Sequence, residues 1–215
     1  MVNIFLIRHG RQNSRLCNVD VELSSEGIMQ AELLGERLRN YDIDALYSSS
    51  LIRARQTAEI LNKALWLPIV IREEIKEISF GSMEGNTDEY NDEHYGAFKR
   101  EQQKLLIDIP YPGGENGAQV FERAMPVIRE LAESGRRNIA VVTHGGTIRA
   151  LLAALIGSGQ AKRFLFATSL ENTSITQLVY KPETDRFYLE RFNDFAHLEK
   201  HPELHRSAIN FDSAK

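Results

Sequence analysis

Cysteine is almost missing from this chain: Cys17 is the only one in 215 residues. No internal disulfide can form, and a reducing, cytoplasmic setting is expected. Long apolar runs are missing too. The longest, Ala150 to Ile156, is far short of the ~20 residues that span a bilayer. The N-terminus has no basic region followed by a long apolar core, so no signal peptide is expected. Neither sign of charge is in large excess. A net charge of −4 implies no general attraction to nucleic acid or to a membrane surface. Gly113-Gly114 lacks the Gly-Lys that would make a P-loop. There is no internal repeat and no low-complexity segment.

What is present suits one globular domain: 42% hydrophobic and 26% charged residues over a length typical of a domain with an inserted cap. The expected organisation is a single domain over 1–197, a small helical lid over about 73–115, and a loose polar tail over 198–215. Strands are expected at 2–7, 45–47, 69–71 and 138–142, with a closing pair at 172–180 and 186–193. Ser24 or Ser25 can cap a helix whose apolar face is Ile28, Ala31, Gly35 and Leu38. Ser48-Ser49-Ser50 is expected to cap a helix over 51–64. Further helices are expected around 95–107, over 116–134 with a kink at Pro126, and over 147–156. Strands alternating with helices imply an α/β fold, a three-layer α/β/α sandwich around a mostly parallel sheet.

Two strand ends carry the chemistry. Ile4-Phe5-Leu6-Ile7 runs into Arg8-His9-Gly10, and Ile139-Ala140-Val141-Val142-Thr143 runs into His144-Gly145-Gly146. Ligands of open α/β sheets bind beyond the carboxyl ends of the strands, so two imidazoles are expected to meet at one sheet edge. A lone histidine there is more often structural; the repeated pattern favours function. Neutral imidazole is a competent nucleophile. Phosphorus is a fitting electrophile, because cations can neutralise its equatorial oxygens. Arg8, Arg11 and Arg15 all precede the first acid, Asp20, which suggests a small anionic ligand. Arg53 falls in the first turn of a helix, where an acid is the usual preference; a guanidinium there makes an anion site. Arg55 is assigned to packing or solvent.

These motifs, taken in order, resemble those of the histidine phosphatase superfamily, whose members include the cofactor-dependent phosphoglycerate mutases. The resemblance covers about residues 2 to 197. It rests on Arg8-His9-Gly10, on Leu23-Ser24-Ser25-Glu26-Gly27, on Ser49-Ser50-Leu51-Ile52-Arg53-Ala54-Arg55-Gln56-Thr57, and on His144-Gly145-Gly146. The resemblance implies that His9 is the phosphorylated nucleophile, with Arg8, Arg53 and His144 as the phosphate pocket and His144 protonated. Glu77, in Glu77-Ile78-Ser79-Phe80-Gly81-Ser82-Met83-Glu84-Gly85, matches the family's general acid. Its role requires a carboxyl held protonated near neutral pH, as a partly closed site would do. Glu84 and Pro112-Gly113-Gly114-Glu115 are read as architecture. Asn172-Thr173-Ser174-Ile175-Thr176 matches the closing strand.

The chain departs from the family after Arg-His-Gly. The usual Glu-Thr or Glu-Ser is replaced, and the position that usually holds Asn is Arg15, with Asn13 nearby. Arg11, Asn13, Arg15 and Gly145 are therefore expected to bind substrate, with Arg11 or Arg15 taking a second anionic group. The expected activity is metal-independent hydrolysis of a small phosphorylated metabolite, with no cofactor. Mutase-type transfer is the alternative, disfavoured because the mutases' longer basic insert is missing; a non-catalytic phospholigand module is the remote one. His201 and His205 are spaced like metal ligands but lie in the tail, and no metal site is expected. His94 is read as a surface residue. Cys17 is read as inert, although Arg11 and Arg15 nearby could lower its pKa.

Overall fold

The computed structural model describes residues 1–206. Its six-stranded sheet has the order β3-β2-β4-β1-β5-β6, where β1 is Val2–Arg8, β2 Ala45–Ser49, β3 Ile69–Arg72, β4 Asn138–Thr143, β5 Ile175–Lys181 and β6 Arg186–Asp194. The β1–β4, β2–β3 and β2–β4 pairs are parallel; β5 is antiparallel to both of its neighbours. Helices cover both faces, so the fold is a three-layer α/β/α sandwich with a mostly parallel sheet.

Alternation along the strands assigns the faces. Val2, Ile4 and Leu6 of β1 point with Ile139 and Val141 of β4 toward α4 (Gly117–Glu133) and α5 (Gly145–Ile156). Phe5 and Ile7 point with Ala140 and Val142 toward α1 (Ser25–Leu38) and α2 (Ile52–Asn62). β1 and β4 are neighbours in register, Arg8 opposite Thr143. The chain leaves β1 toward one face and β4 toward the other. The two strand ends therefore part at a topological switch point, where an open α/β sheet forms its ligand crevice.

Several elements differ in detail from the expectation. α1 is capped by Ser24, whose side chain accepts from the Gly27 amide at 3.2 Å. Its buried face includes Gln30 and Leu34, whereas Ile28 is exposed. Gln30 can be buried because both ends of its amide are satisfied: it accepts from Arg11 N at 2.9 Å and donates to Leu204 O at 2.7 Å. The serine run does not cap α2. Asp20 does so from a distant loop, accepting from Ile52 N at 2.7 Å. α4 runs through Pro126 as one helix, opened by an Asn116–Gln119 capping box. α3 is Asp88–Gln103, seven residues earlier than expected at its start, and is capped by Thr87; Tyr95 breaks its dihedrals once.

The tail is not loose as far as residue 206. Short 3₁₀ turns at Ala196–Leu198 and Pro202–Leu204 bury Leu198 and Leu204 completely or nearly so. Arg11 reinforces the anchor by donating to Leu204 O and His205 O at 3.1 and 2.9 Å. Residues 207–215 of the expected tail lie outside the described residues.

Candidate active site

His9 follows β1 and is pinned through its backbone. Its N–H donates to Thr143 O at 3.0 Å, its carbonyl accepts from Asn172 Nδ2 at 2.9 Å, and the next amide, Gly10 N, donates to Thr57 Oγ1 at 2.9 Å. Gly10 is required here: a Cβ on it would lie 2.7 Å from the Gly27 carbonyl oxygen. The His9 ring is fixed as well. Nδ1 lies 2.7 Å from Gly10 O, and a carbonyl only accepts, so Nδ1 carries the proton. Nε2 accepts from Arg53 Nε at 3.3 Å. The neutral tautomer is thus set, with the Nε2 lone pair on the guanidinium side.

His144 lies at the end of β4, with its ring centroid 5.1 Å from that of His9. Its Nε2 is 2.7 Å from Ser49 Oγ, while Nδ1 is buried with no partner among the described residues. The two histidines and Arg53 are 4%, 0% and 1% exposed. Burial, then the charge of Arg53, hold both imidazoles well below their ordinary pKa. With no anion bound, a second cation so close to Arg53 and Arg8 in a dry site is unfavourable, which disfavours the imidazolium form of His144.

Arg53 enters the site from the first turn of α2. It donates through Nη2 to Asn18 Oδ1 at 2.6 Å and through Nη1 to Val19 O at 3.0 Å. Asn18 in turn donates to Glu84 Oε1 at 3.0 Å, and Glu84 accepts from Phe80 N at 2.8 Å. Asn18, which motif counting passes over, is the asparagine of this loop that meets Arg53. Arg15 and Asn13 are exposed. Arg11 is turned toward the C-terminal segment and Glu26. None of these three lines the cavity described below.

Arg8 donates through Nη1 to Leu170 O, and its Nε is buried without a partner. Burial and the nearby Arg206 lower its pKa to about 9. Glu77 sits over the N-terminus of α5. Its carboxylate accepts from Ile78 N at 2.9 Å and from Gly146 N and Thr147 N at 3.3 Å each. Glycine at 146 allows this approach, since a Cβ there would lie 2.5 Å from Glu77 Oε1. Arg123, unnoticed in the sequence, supports the segment by donating to Lys76 O and Glu77 O at 3.0 Å each while paired with Glu115.

Arg8, Glu77 and Gly145 line a cavity of about 280 Å³ that also touches Arg149 and Arg206. A second cavity of about 480 Å³ runs under α3 beside Cys17 and shares Phe80, Tyr111 and Phe164 with the first. Burial raises the Cys17 thiol to about 11, so the nearby arginines do not activate it. No group of three potential metal ligands occurs among the described residues.

Two buried, adjoining imidazoles at a sheet switch point, with the guanidiniums of Arg53 and Arg8 and a carboxylate at a helix N-terminus, define an α/β enzyme acting on phosphate monoesters. The chain belongs to the histidine phosphatase superfamily, branch 1, whose family model matches residues 4–194. It is 29% identical over 204 residues to the uncharacterized phosphatase PhoE of Bacillus subtilis, with 92% of this chain and 97% of that protein covered. It is 27% identical over 197 residues to a 2,3-bisphosphoglycerate-dependent phosphoglycerate mutase of Protochlamydia amoebophila, covering 73% and 86%. A mycobacterial glucosyl-3-phosphoglycerate phosphatase, solved with inorganic phosphate, superposes with a TM-score of 0.81 at 27% identity, covering 92% of this chain and 99% of that one.

Proposed function

We propose that the protein hydrolyses small phosphate monoesters without metal, through a phosphohistidine on His9. One observation carries this reading: Gly10 O and Arg53 hold His9 in the neutral Nδ1–H tautomer, the form with a nucleophilic Nε2. Nε2 attacks phosphorus as the bond to the ester oxygen breaks. Arg53 and Arg8 take the phosphoryl oxygens and spread their charge. The Ser49 hydroxyl donates to His144 Nε2, which leaves the His144 Nδ1–H for a third contact. The unpartnered, buried Nδ1 of His144 and Nε of Arg8 are donors that such an anion would satisfy. Glu77 delivers a proton to the departing alcohol, and the α5 amides then hold its carboxylate. Water attacks the phosphohistidine as Glu77 takes its proton back. Gly145 lies in the cavity wall, where a bare backbone admits the substrate.

The test is phosphate release from 4-nitrophenyl phosphate with and without EDTA. The expected result is EDTA-resistant turnover that disappears in His9→Ala, and an acid-labile, alkali-stable phosphoryl group on His9 after rapid quenching. Loss of turnover in EDTA would overturn the metal-free mechanism. A phosphohistidine that transfers to a second hydroxyl without releasing phosphate would make the chain a mutase.

A further inference from the structure

The cavity holds more cationic surface than one phosphoryl group uses. Besides Arg8 it is lined by Arg149, Arg163 and Arg206. Arg163 is matched by Asp108 at 2.5 Å. Among the described residues Arg149 forms no ion pair, although the Glu77 charge acts on it: its Nε donates to Phe166 O at 3.0 Å, and its Nη2 to Ala167 O and Thr168 O at 2.9 and 3.3 Å. Arg206 is exposed, and among the described residues no acceptor meets its guanidinium. Its backbone is held, however, by Glu171 Oε1 at 2.9 Å from its amide. The residues just before it are anchored by the buried Leu198 and Leu204 and by the Gln30 and Arg11 contacts to the Leu204 and His205 carbonyls. The C-terminal strap thus brings a cation, unpaired among the described residues, to the mouth of the cavity.

Two guanidiniums facing one small cavity repel each other, and an anion between them removes that repulsion. Their planar forks match a carboxylate or a phosphate. We propose that the substrate's alcohol carries a second anionic group bound between Arg149 and Arg206, so that the strap forms part of the substrate site. This subsite rests on the phosphatase reading above and narrows it to esters of acidic alcohols. Thr168, on the same wall, has a hydroxyl suited to the remaining oxygens.

Three short esters test it: phosphoglycolate, ethylene glycol bisphosphate and phosphoethanolamine, with 4-nitrophenyl phosphate alongside. The wild type is expected to favour the two acidic esters over phosphoethanolamine by about tenfold or more in kcat/KM, the scale of one charged hydrogen bond. Arg206→Ala should shrink that ratio, Arg206→Lys should keep part of it, and Arg206→Glu should invert it. The acidic ester that loses more in Arg206→Ala identifies carboxylate or phosphate as the bound group. A wild-type ratio near one, or a ratio unchanged in both Arg206→Ala and Arg206→Glu, overturns the subsite while leaving the phosphatase reading intact. No phosphate release from any of the four esters would overturn both.

Discussion

A histidine serves as a nucleophile only if the right nitrogen is free, and here a single carbonyl, Gly10 O, decides which one is. The leaving-group side is decided in a similar way by Gly146, whose missing side chain lets Glu77 reach the α5 amides. Glu77→Gln is expected to slow alkyl phosphates by about 10²–10⁴-fold, the range of general acid catalysis. It should slow phosphorylation by 4-nitrophenyl phosphate far less, because nitrophenolate departs without a proton. Single-turnover rates for the two ester types check this; equal losses would remove the acid role. Gly146→Ala should reproduce the same selective loss by displacing the carboxylate, with His9 still becoming phosphorylated by the aryl ester. Cys17 gives a further test at this scale. With a thiol near 11, its alkylation should be slow at pH 8 and rise about tenfold per pH unit, levelling only near pH 11. The positions of Arg8, His9 and His144 were legible because each closes an apolar run at a strand end. Asn18 was not. Its place depends on the path of an irregular loop, which leaves no periodic signal.

At the scale of elements, the site depends on one loop supporting two structures. Residues 18–20 supply Asn18 and Val19 O to Arg53, and Asp20 to the bare amide of Ile52 at the start of α2. Asp20→Ala should cost about 0.5–2 kcal/mol of stability, the usual value of a lost N-cap, read by urea denaturation. Because Arg53 and its clamp share that helix turn, the same variant should also raise KM for phosphate esters, whereas Asp20→Asn should preserve most of both. The central strands and α1, α2, α4 and α5 could be read from apolar periodicity. α3 could not be placed well: among its residues only Asn91 is buried, so no apolar stripe marks its bounds. The strap at 196–206 looked like a polar tail because just two leucines, Leu198 and Leu204, anchor it. The rest of its attachment is through carbonyls, which every sequence has.

The molecule as a whole buries imidazoles that it keeps neutral, and this sets its response to acid. His197 packs against Arg37 and Thr173, and burial followed by the Arg37 charge lowers it to about 4. His9 and His144 are also held well below their ordinary pKa, by burial and by Arg53. Each group has a folded pKa below its unfolded value near ~6.5. Above pH 7 both states are neutral and there is no effect. As pH falls below ~6.5 the unfolded chain binds protons that the folded chain refuses, so stability declines. The depressed carboxylates, such as Asp194 beside Arg37 and Glu115 beside Arg123, act in a lower window. Their contribution is lost only as pH drops below about 4.5 toward their folded values. Between pH 7 and 5 the loss therefore belongs to the histidines, at about 2 kcal/mol for His197 with its folded pKa near 4. Denaturation at pH 7, 6 and 5 should show this decline, and His197→Asn should lessen it by about one histidine's share even if the variant is less stable at pH 7. A profile for His197→Asn parallel to that of the wild type would place the acid sensitivity elsewhere. Phosphate bound beside His9 and His144 should oppose the decline, because an anion favours the protonated rings that the empty site excludes.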